Sequence, residues 1–263
     1  MVKVVGILNV TPDSFYDGGR HNTVAAAQNQ VEKMISAGAD MIDIGCESTR
    51  PGSEKVSVED ELNRLSTILP AIRSMTTLPL SIDTYKPDVM RYAIAEGVNM
   101  INDIYALRSP GAIEAVKDHD VDICLMHLHE SIDAMHEKPT YQNVTQTIYD
   151  FFQTRITACV RAGIEESRLV LDPGFGFSKK TEENFKLLKD LKVFEALNLP
   201  IYVGVSRKRF IGSLLQTDSP EDRLTGSLIA ASWACQQGAS YIRTHDVAET
   251  KEALNMANAI LNG

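Results

Sequence analysis

Acids and amides stand where short apolar stretches of this sequence end, and these residues have the chemistry to form a site. The clearest case is Leu169–Asp172, an apolar stretch that ends in a carboxylate and then runs into Pro173 and Gly174. This pattern is typical of a buried parallel strand that delivers one charged side chain to the rim of a sheet. The same pattern predicts five further polar strand ends: Asn9, Asp43, Asp83, Asn102 and Asp103.

A ring of carboxylates and amides can bind two different classes of ligand. A carboxylate accepts two parallel hydrogen bonds from the amidine-like edge of a flat heterocycle. The same oxygen atoms are the ligands that divalent cations prefer. A single strand-end acid is more often a turn or helix cap, but six polar residues around one rim indicate a binding site. The spacing alone leaves the heterocycle and the metal as alternatives.

Positively charged residues follow the last two predicted strands. Ser206–Arg209 comes after the first of them, and Arg243–Asp246 comes after the second. In barrel enzymes, loops at these two positions frequently hold a phosphate group with help from a helix N-terminus. We therefore expect the three consecutive basic residues of Ser206–Arg209 to form an anion pocket, with two solvated basic turns as the alternative. Thr49 and Arg50 add a further candidate anion contact.

His127 and His129 end another predicted strand, and residues two apart on a strand face the same way. Some metal-dependent barrels use this pattern. Here the acid and lysine partners that usually accompany it are missing from their customary positions, so a structural or loop role is the favoured interpretation. No arrangement of Ser, His and Asp or of Cys and His indicates a nucleophile.

The elements that must position these residues alternate along the chain. Strands are predicted near residues 2–9, 40–45, 79–83, 99–104, 121–127, 168–172, 201–205 and 240–244. Helices are predicted near residues 23–37, 58–75, 87–96, 110–117, 142–162, 181–196, 220–237 and 247–261. Eight strand–helix pairs in 263 residues predict an α/β fold, a (β/α)8 barrel in which residues 1–263 form a single domain. A doubly wound sheet usually needs fewer strands.

Composition restricts the class of protein. Hydrophobic residues make up 44% of the chain and charged residues 23%, which allows a sizeable core. The formal net charge of −9 argues against a general binder of nucleic acid or anionic membranes. The four cysteines form no C-x-x-C pair, and no apolar run approaches the roughly 18 residues of a membrane span. Because the chain opens directly into a strand-like segment without a basic leader, we expect a cytoplasmic location.

Taken in order, the motifs resemble the signatures of the dihydropteroate synthase family. Gly6–Phe15 is similar to the opening signature of that family, and Asp43–Gly52 is similar to its second signature. The later motifs follow in the family's order: Ser81–Thr84, Ile101–Asp103, Leu125–His127, Asp172–Phe177, Gly204–Lys208 and Arg243–Asp246. The resemblance covers essentially the whole chain and implies a (β/α)8 barrel, in agreement with the strand count.

The resemblance also implies a transferase of folate biosynthesis. Members of this family condense 6-hydroxymethyl-7,8-dihydropterin pyrophosphate with p-aminobenzoate, giving 7,8-dihydropteroate and pyrophosphate. We expect a dissociative displacement at the pterin methylene, in which positioning and electrostatics supply most of the rate. The family is commonly dimeric, so a homodimer is expected, with the Ala-rich segment Leu228–Cys235 as its candidate apolar face.

Matching the family's motifs residue by residue assigns the pterin site. The pterin would lie on Asp83, Asn102 and Asp172, with Lys208 beside them and Met126 lining the pocket. Asp83, Asp172 and Lys208 are the expected catalytic residues. The two carboxylates could stabilise positive charge that develops on the methylene.

The same matching assigns the anion and the amine. Asn9 would meet the Mg²⁺ that accompanies the pyrophosphate. Three residues would hold the diphosphate: Arg243, His245 and Arg50. Four residues would shape the p-aminobenzoate site: Thr49, Pro51, Phe177 and Ser206.

Two other functions are kept as alternatives. A methyltetrahydrofolate–corrinoid methyltransferase-like domain shares the fold and the recognition of pterins by Asp and Asn. It would not explain Ser48–Gly52 or the paired cationic loops. The non-enzymatic alternative is a pterin-binding barrel without activity, and the presence of four residues argues against it: Asn9, Lys208, Arg243 and His245.

Overall fold

Eight parallel strands close into a barrel in sequence order, with the last strand hydrogen-bonded to the first. The computed structural model describes residues 2–10, 20–48 and 55–263. The strands are β1 (Lys3–Asn9), β2 (Met41–Gly45), β3 (Leu80–Asp83), β4 (Met100–Asp103), β5 (Asp122–Met126), β6 (Leu169–Asp172), β7 (Ile201–Gly204) and β8 (Ala239–Thr244). The predicted (β/α)8 barrel is confirmed, and each strand lies within about a residue of its predicted bounds.

Helices surround the barrel. They are α1 (Arg20–Ser36), α2 (Val58–Arg73), α3 (Pro87–Ala95), α4 (Ala112–Val116), α5 (Val144–Arg161), α6 (Thr181–Lys189), α7 (Arg209–Leu215), α8 (Leu224–Gln236) and α9 (Val247–Asn262). Short 3₁₀ segments occupy Glu166–Arg168, Leu191–Leu197 and Glu221–Arg223. Within the described ranges, no helix is long and apolar enough to cross a membrane.

The region after β7 differs from its prediction. The sequence predicted one helix over residues 220–237, whereas the structure has the short α7, then a 3₁₀ turn, and α8 only from Leu224. α7 is followed by Gln216, which adopts a left-handed conformation with φ 55° and ends the helix. The turn before α8 is tighter than a helix because the backbone N–H of Arg223 donates to the carbonyl of Pro220, three residues earlier.

Strand alternation divides the barrel interior into two layers. Seven side chains fill the lower part and form what we call the apolar plug: Val5, Met41, Met100, Cys124, Val170, Tyr202 and Tyr241. Because side chains two residues apart on a strand share a face, the next inward position on most of these strands lies one layer nearer the carboxyl end. The plug therefore fills the barrel below any site, and a ligand has to approach from the carboxyl ends of the strands.

Candidate active site

Polar side chains occupy the layer directly above the apolar plug. On five strands, the inward-facing residue of this upper layer lies two positions after the inward-facing residue of the lower layer. We call this set the polar layer: Asp43, Asp83, Asn102, Asp172 and Arg243. Asp83 is paired in register with Asn102 and with Gly45, and Asp172 is paired with Met126. The structure thus brings the three residues predicted for the pterin, Asp83, Asn102 and Asp172, to the carboxyl ends of β3, β4 and β6 at the same mouth of the barrel.

Asp103, a further acid of the predicted ring, has a different role. Asp103 is fully buried, and its two carboxylate oxygens accept the backbone N–H groups of Tyr105 and Leu107, each at 2.7 Å. It caps the turn after β4 and does not join the polar layer. Asn102 and Asp103 are neighbours on one strand, so alternation sends only one of them inward.

Arg243 links two acids of the polar layer, Asp43 and Asp83. Its Nε donates to Asp43 Oδ2 at 2.6 Å and its Nη2 donates to Asp83 Oδ2 at 2.9 Å. Asn102 Nδ2 donates to the same oxygen of Asp43 at 3.2 Å. Asp43 has no exposed surface, so it acts on a ligand only through Arg243 and Asn102. The sequence did not assign Asp43 a role, although it recognised this residue as a strand-end acid.

Burial moves the pKa values of three groups at the mouth toward neutral pH. Burial raises the pKa of Asp83 to about 7, against the opposing charge of Arg243. Burial also raises the pKa of Asp172 to about 6, against the hydrogen bond from the backbone of Gly174. The pKa of Lys208 falls to about 8 because of burial and the charge of Arg243. Groups that titrate near neutral pH in a cleft are typical of a functional site.

The loop after β6 is folded around a buried lysine. Lys179 Nζ donates to the carbonyls of Gly174 and Phe177 at 2.8 and 3.0 Å, and lies 3.1 Å from His127 Nδ1. Asp172 Oδ1 accepts the N–H of Gly174 at 2.7 Å, which fixes the carboxylate on this loop. Gly174 has φ +70°, and a Cβ there would lie 2.2 Å from the carbonyl oxygen of His127, so only glycine fits.

The sequence did not identify Lys179, because it stands among loop and helix-start residues without a recognisable spacing. Lys179 explains why His127 is uncharged, because the pKa of His127 is lowered by burial and by the charge of Lys179. Burial in turn lowers the pKa of Lys179 to about 7. His127 therefore has the structural role that the sequence favoured, while His129 packs edge-on against the ring of Tyr141.

An aromatic and apolar wall adjoins the polar layer. Met126 and Phe177 belong to one buried cluster. Lys208 Nζ lies 4.0 Å from the centroid of the Phe177 ring, which is cation–π distance. Gly176 allows this contact, because it has φ +82° and a Cβ there would lie 3.0 Å from Lys208 Cδ. Three predicted residues, Met126, Phe177 and Lys208, thus meet on the side of the mouth formed by β5, β6 and β7.

The loops after β7 and β8 contact each other. Ser206 Oγ lies 3.0 Å from His245 Nδ1 and accepts the backbone N–H of His245 at 3.1 Å. The sequence predicted that Arg243 and His245 face one anion together. In the structure, Arg243 contacts the carboxylates of the polar layer, whereas His245 contacts Ser206.

The expectation of a three-residue basic pocket after β7 is wrong for Arg207. Its guanidinium forms two hydrogen bonds with Asp246, from Nε at 3.0 Å and from Nη2 at 2.6 Å. The physical reason is the left-handed backbone of Arg207, with φ 56°, which breaks the alternation of the strand that precedes it. Lys208 lies over Phe177 instead, and Arg209 is exposed at the first position of α7.

Thr49, Arg50 and Pro51 lie outside the described residues, but the chain on both sides of them is anchored. Lys86 is buried, and its Nζ donates to Glu47 Oε2 at 2.7 Å and to the carbonyl of Val56 at 2.6 Å. The backbone N–H of Val56 donates to Glu47 Oε1 at 3.1 Å.

Asn9 ends β1 at the same mouth. A Cβ placed on Gly45 would lie 3.7 Å from both Asn9 Oδ1 and Asp83 Cβ, so the amide oxygen borders the polar layer. Among the described residues, no group of three or more His, Cys, Asp or Glu side chains is arranged to hold a metal ion. Mg²⁺ usually keeps several waters and binds through one or two protein oxygens plus substrate phosphates. One amide oxygen therefore fits a magnesium ion that arrives with a pyrophosphate.

Comparisons with known proteins find similarity over nearly the whole chain. Residues 5–245 match the family described as pterin binding enzyme. The dihydropteroate synthase of Escherichia coli (strain K12) is 47% identical over 259 residues, which cover 98% of this chain and 92% of the relative. A solved Xanthomonas albilineans dihydropteroate synthase with 4-aminobenzoic acid superposes with a TM-score of 0.94 at 47% identity, covering 100% of this chain and 94% of that chain. Another from this organism, in complex with 7,8-dihydropteroate, gives a TM-score of 0.90 at 44% identity, with the same coverage.

Proposed function

The chain belongs to the dihydropteroate synthases of the pterin binding enzyme family, and we propose that the mouth of its barrel is where the reaction takes place. This transferase condenses 6-hydroxymethyl-7,8-dihydropterin pyrophosphate with p-aminobenzoate, giving 7,8-dihydropteroate and pyrophosphate. The observation that carries the proposed site is the polar layer, in which Asp83, Asn102 and Asp172 are buried or half-buried above the apolar plug and Arg243 links Asp83 to Asp43.

The polar layer recognises the pterin by its donors. The pyrimidine edge of a pterin carries neighbouring N–H groups, which suit carboxylate and amide oxygens. Asp172 is held on the β6 loop by Gly174, and Asn102 is held by Asp43, so both enter the complex already oriented. Their burial makes the recognition selective, because a ligand without the matching donors would leave these groups unpaired.

The same acids favour the chemical step. The bond from the methylene to the pyrophosphate oxygen lengthens first, which leaves positive character on the methylene and negative charge on the leaving group. Ionised Asp83 and Asp172 stabilise the positive charge electrostatically in a site largely shielded from water. The amine of p-aminobenzoate attacks in its neutral form, so no general base is required for the attack, and the ammonium that results then releases one proton to solvent. The wall formed by Met126 and Phe177 keeps the attacking amine and the methylene away from bulk solvent.

Asn9, Lys208 and His245 serve the leaving group in this proposal. Asn9 is the residue that would hold Mg²⁺, which when bound supplies positive charge that neutralises the pyrophosphate. Lys208 and His245 border the anion side of the mouth. Arg243 contributes from the polar layer, where its charge also favours the ionised form of Asp83 against the effect of burial. Arg50, together with Thr49 and Pro51, stays a prediction from the sequence.

We also propose that two copies of the chain associate through the outer faces of α7, α8 and α9. These helices leave large apolar side chains exposed: Leu214, Leu215, Ile229, Trp233, Met256 and Ile260. Monomeric proteins rarely expose large contiguous apolar patches, which supports a homodimer. Analytical sedimentation of the wild-type protein should detect a dimer, and Ile229→Glu should convert it to a monomer. If the wild-type protein sediments as a monomer, the proposed homodimer is wrong. A cytoplasmic location stays a prediction from the sequence.

The test of the function is product formation from the purified protein. Pterin pyrophosphate and p-aminobenzoate should give 7,8-dihydropteroate and pyrophosphate in equal amounts, and removal of magnesium should lower the rate. Asp172→Asn should abolish most of the activity, whereas the matched Asp103→Asn, in a turn cap, should keep it in whatever fraction folds. If methyltetrahydrofolate and a corrinoid react instead, the methyltransferase alternative is correct. If the wild-type protein binds pterin without turnover, the non-enzymatic alternative is correct.

A further inference from the structure

Arg207 stands between two residues of the proposed site, Ser206 and Lys208, yet its guanidinium bonds to the next loop. We infer that Arg207 and Asp246 form a clamp between the β7 loop (Ser206–Lys208) and the β8 loop (His245–Asp246), and that Arg207 is a positioning residue for the anion side of the site. The inference rests on the proposed function, because it concerns the residues that would receive the pyrophosphate.

The side chain of Arg207 makes a two-point contact. Nε and Nη2 donate to the two oxygens of Asp246 at 3.0 and 2.6 Å, and Asp246 is only 10% exposed. A planar fork that bonds to both oxygens of a carboxylate fixes direction as well as distance, which a lysine cannot do. Asp246 is in turn fixed by its backbone, whose N–H donates to Thr244 Oγ1 at 3.1 Å.

The backbone of Arg207 is held from the other side by the start of α8. Its N–H donates to Ser227 Oγ at 2.8 Å, and its carbonyl accepts from Arg223 Nη1 at 3.0 Å. These bonds hold Arg207 at φ 56°, a conformation that is costly for residues with a Cβ. Such strain persists where the surrounding structure over-determines it, and it commonly marks functional positions. Glycine would adopt this φ more easily but could not supply the fork.

The clamp has a direct consequence at the mouth. Within these loops, Ser206 Oγ contacts both Nδ1 and the backbone N–H of His245, at 3.0 and 3.1 Å. Lys208 follows Arg207 directly and lies over Phe177. Ser206, His245 and Lys208 therefore keep their relative positions only while the two loops keep theirs. Small displacements of these charged groups from the leaving group slow the reaction strongly, since a shift of about 1 Å can lower the rate about a hundredfold.

The variant Arg207→Gly separates positioning from folding. It removes the fork, which destabilises the fold, but relieves the left-handed backbone, which stabilises it, so we expect its melting temperature to stay close to that of the wild type. Affinity for magnesium pyrophosphate, measured by calorimetry, and kcat/KM should fall by about ten- to hundredfold. Affinity for 6-hydroxymethyl-7,8-dihydropterin should stay within about twofold, because the polar layer is untouched. Arg207→Lys keeps the charge without the fork. Its pyrophosphate affinity and its kcat/KM should lie between those of the wild type and those of Arg207→Gly.

The matched control is Arg91→Ala, which removes a different Arg–Asp pair. Arg91 Nη1 lies 2.7 Å from Asp88 Oδ1 on the exposed surface of α3. The variant Arg91→Ala should leave the affinity for magnesium pyrophosphate unchanged. The clamp is refuted if Arg207→Gly binds magnesium pyrophosphate as tightly as the wild type, or if Arg207→Lys and Arg207→Gly lose stability and affinity in parallel.

A ligand-independent measurement keeps the clamp and the proposed function apart. The ring signals of His245 in a ¹H–¹⁵N NMR spectrum should shift in Arg207→Gly and stay in place in Arg91→Ala. If the wild type neither binds pyrophosphate nor forms product, the proposed function fails, while these spectra still decide whether the clamp positions His245. Unchanged His245 signals in Arg207→Gly overturn the clamp.

Discussion

Replacing Arg243 by methionine removes the positive charge between Asp43 and Asp83 while keeping much of the side-chain volume. In the wild type, Arg243 donates to Asp83 Oδ2 at 2.9 Å and opposes the effect of burial on that carboxyl group. Arg243→Met should therefore let Asp83 hold its proton to higher pH. A protonated Asp83 can no longer stabilise a developing cation, so the acidic limb of the pH–activity profile should move upward.

The size of that move follows from the contact that is lost. A hydrogen bond between charged groups contributes about 1.5–3 kcal/mol, and one pKa unit corresponds to about 1.36 kcal/mol. Loss of Arg243 should thus raise the pKa of Asp83 by about one to two units. Asp83 retains 17% exposure of its side chain, so solvent screening favours the lower end. From its wild-type value of about 7, the pKa of Asp83 should reach about 8 to 9.

The sign of the effect is set by the charge that the reaction needs. Below its pKa, Asp83 is neutral, so wild-type kcat/KM should fall as the pH drops through about 7. In Arg243→Met the fall should begin about one to two pH units higher. The affinity for bare pterin should drop about tenfold at pH 7 and recover near pH 9, whereas the affinity for pyrophosphate should stay low at both.

The assay is kcat/KM against pH, with pterin titrated at pH 7 and pH 9. Arg243→Lys is the matched control, because it keeps the charge and should leave the acidic limb near its wild-type position. The reasoning is refuted if the limb of Arg243→Met coincides with that of the wild type. Pterin affinity that falls equally at both pH values would mean that Arg243 contacts the pterin directly and does not act through Asp83.

Three further predictions concern the rest of the mouth. Asp172→Ala should lose most of its pterin affinity because buried ligand donors are left unpaired, while Asp103→Asn should lose stability but bind pterin normally; titration and melting of both variants check this. Gly176→Ala should be less stable by about 1–2 kcal/mol, since φ is +82°, and should lower kcat because the new Cβ would lie 3.0 Å from Lys208 Cδ; an unchanged kcat would contradict the proposed position of Lys208. p-Aminobenzoate should bind poorly to the free protein and well with pyrophosphate and magnesium present, and equal affinities by calorimetry would rule out ordered binding.

The barrel could be predicted from the sequence because its strands are short apolar runs with clear ends. α7 could not, since seven residues between a basic loop and a polar turn carry too little periodic signal. The later start of α8 depends on the 3₁₀ turn before it and on Arg223, whose side chain donates to the carbonyl of Arg207. A contact between distant parts of the chain leaves no local pattern.

The site could be predicted as far as strand ends alone determine it. Apolar runs placed Asp83 and Asp172 at the mouth, but run length did not decide which of Asn102 and Asp103 turns inward. The side chains of Arg207 and Lys208 make contacts in different places because Arg207 has a left-handed φ. A residue with a Cβ rarely adopts such a φ, so the sequence did not indicate it.

A crystal structure of this protein with 6-hydroxymethyl-7,8-dihydropterin tests the central claim most directly. We predict that the pterin lies in the mouth above the apolar plug, with its donor edge within hydrogen-bonding distance of Asp172 and Asn102 and its methylene directed toward Lys208 and the β7 loop. A pterin bound elsewhere, or one in the mouth without contact to Asp172, would contradict the proposed site.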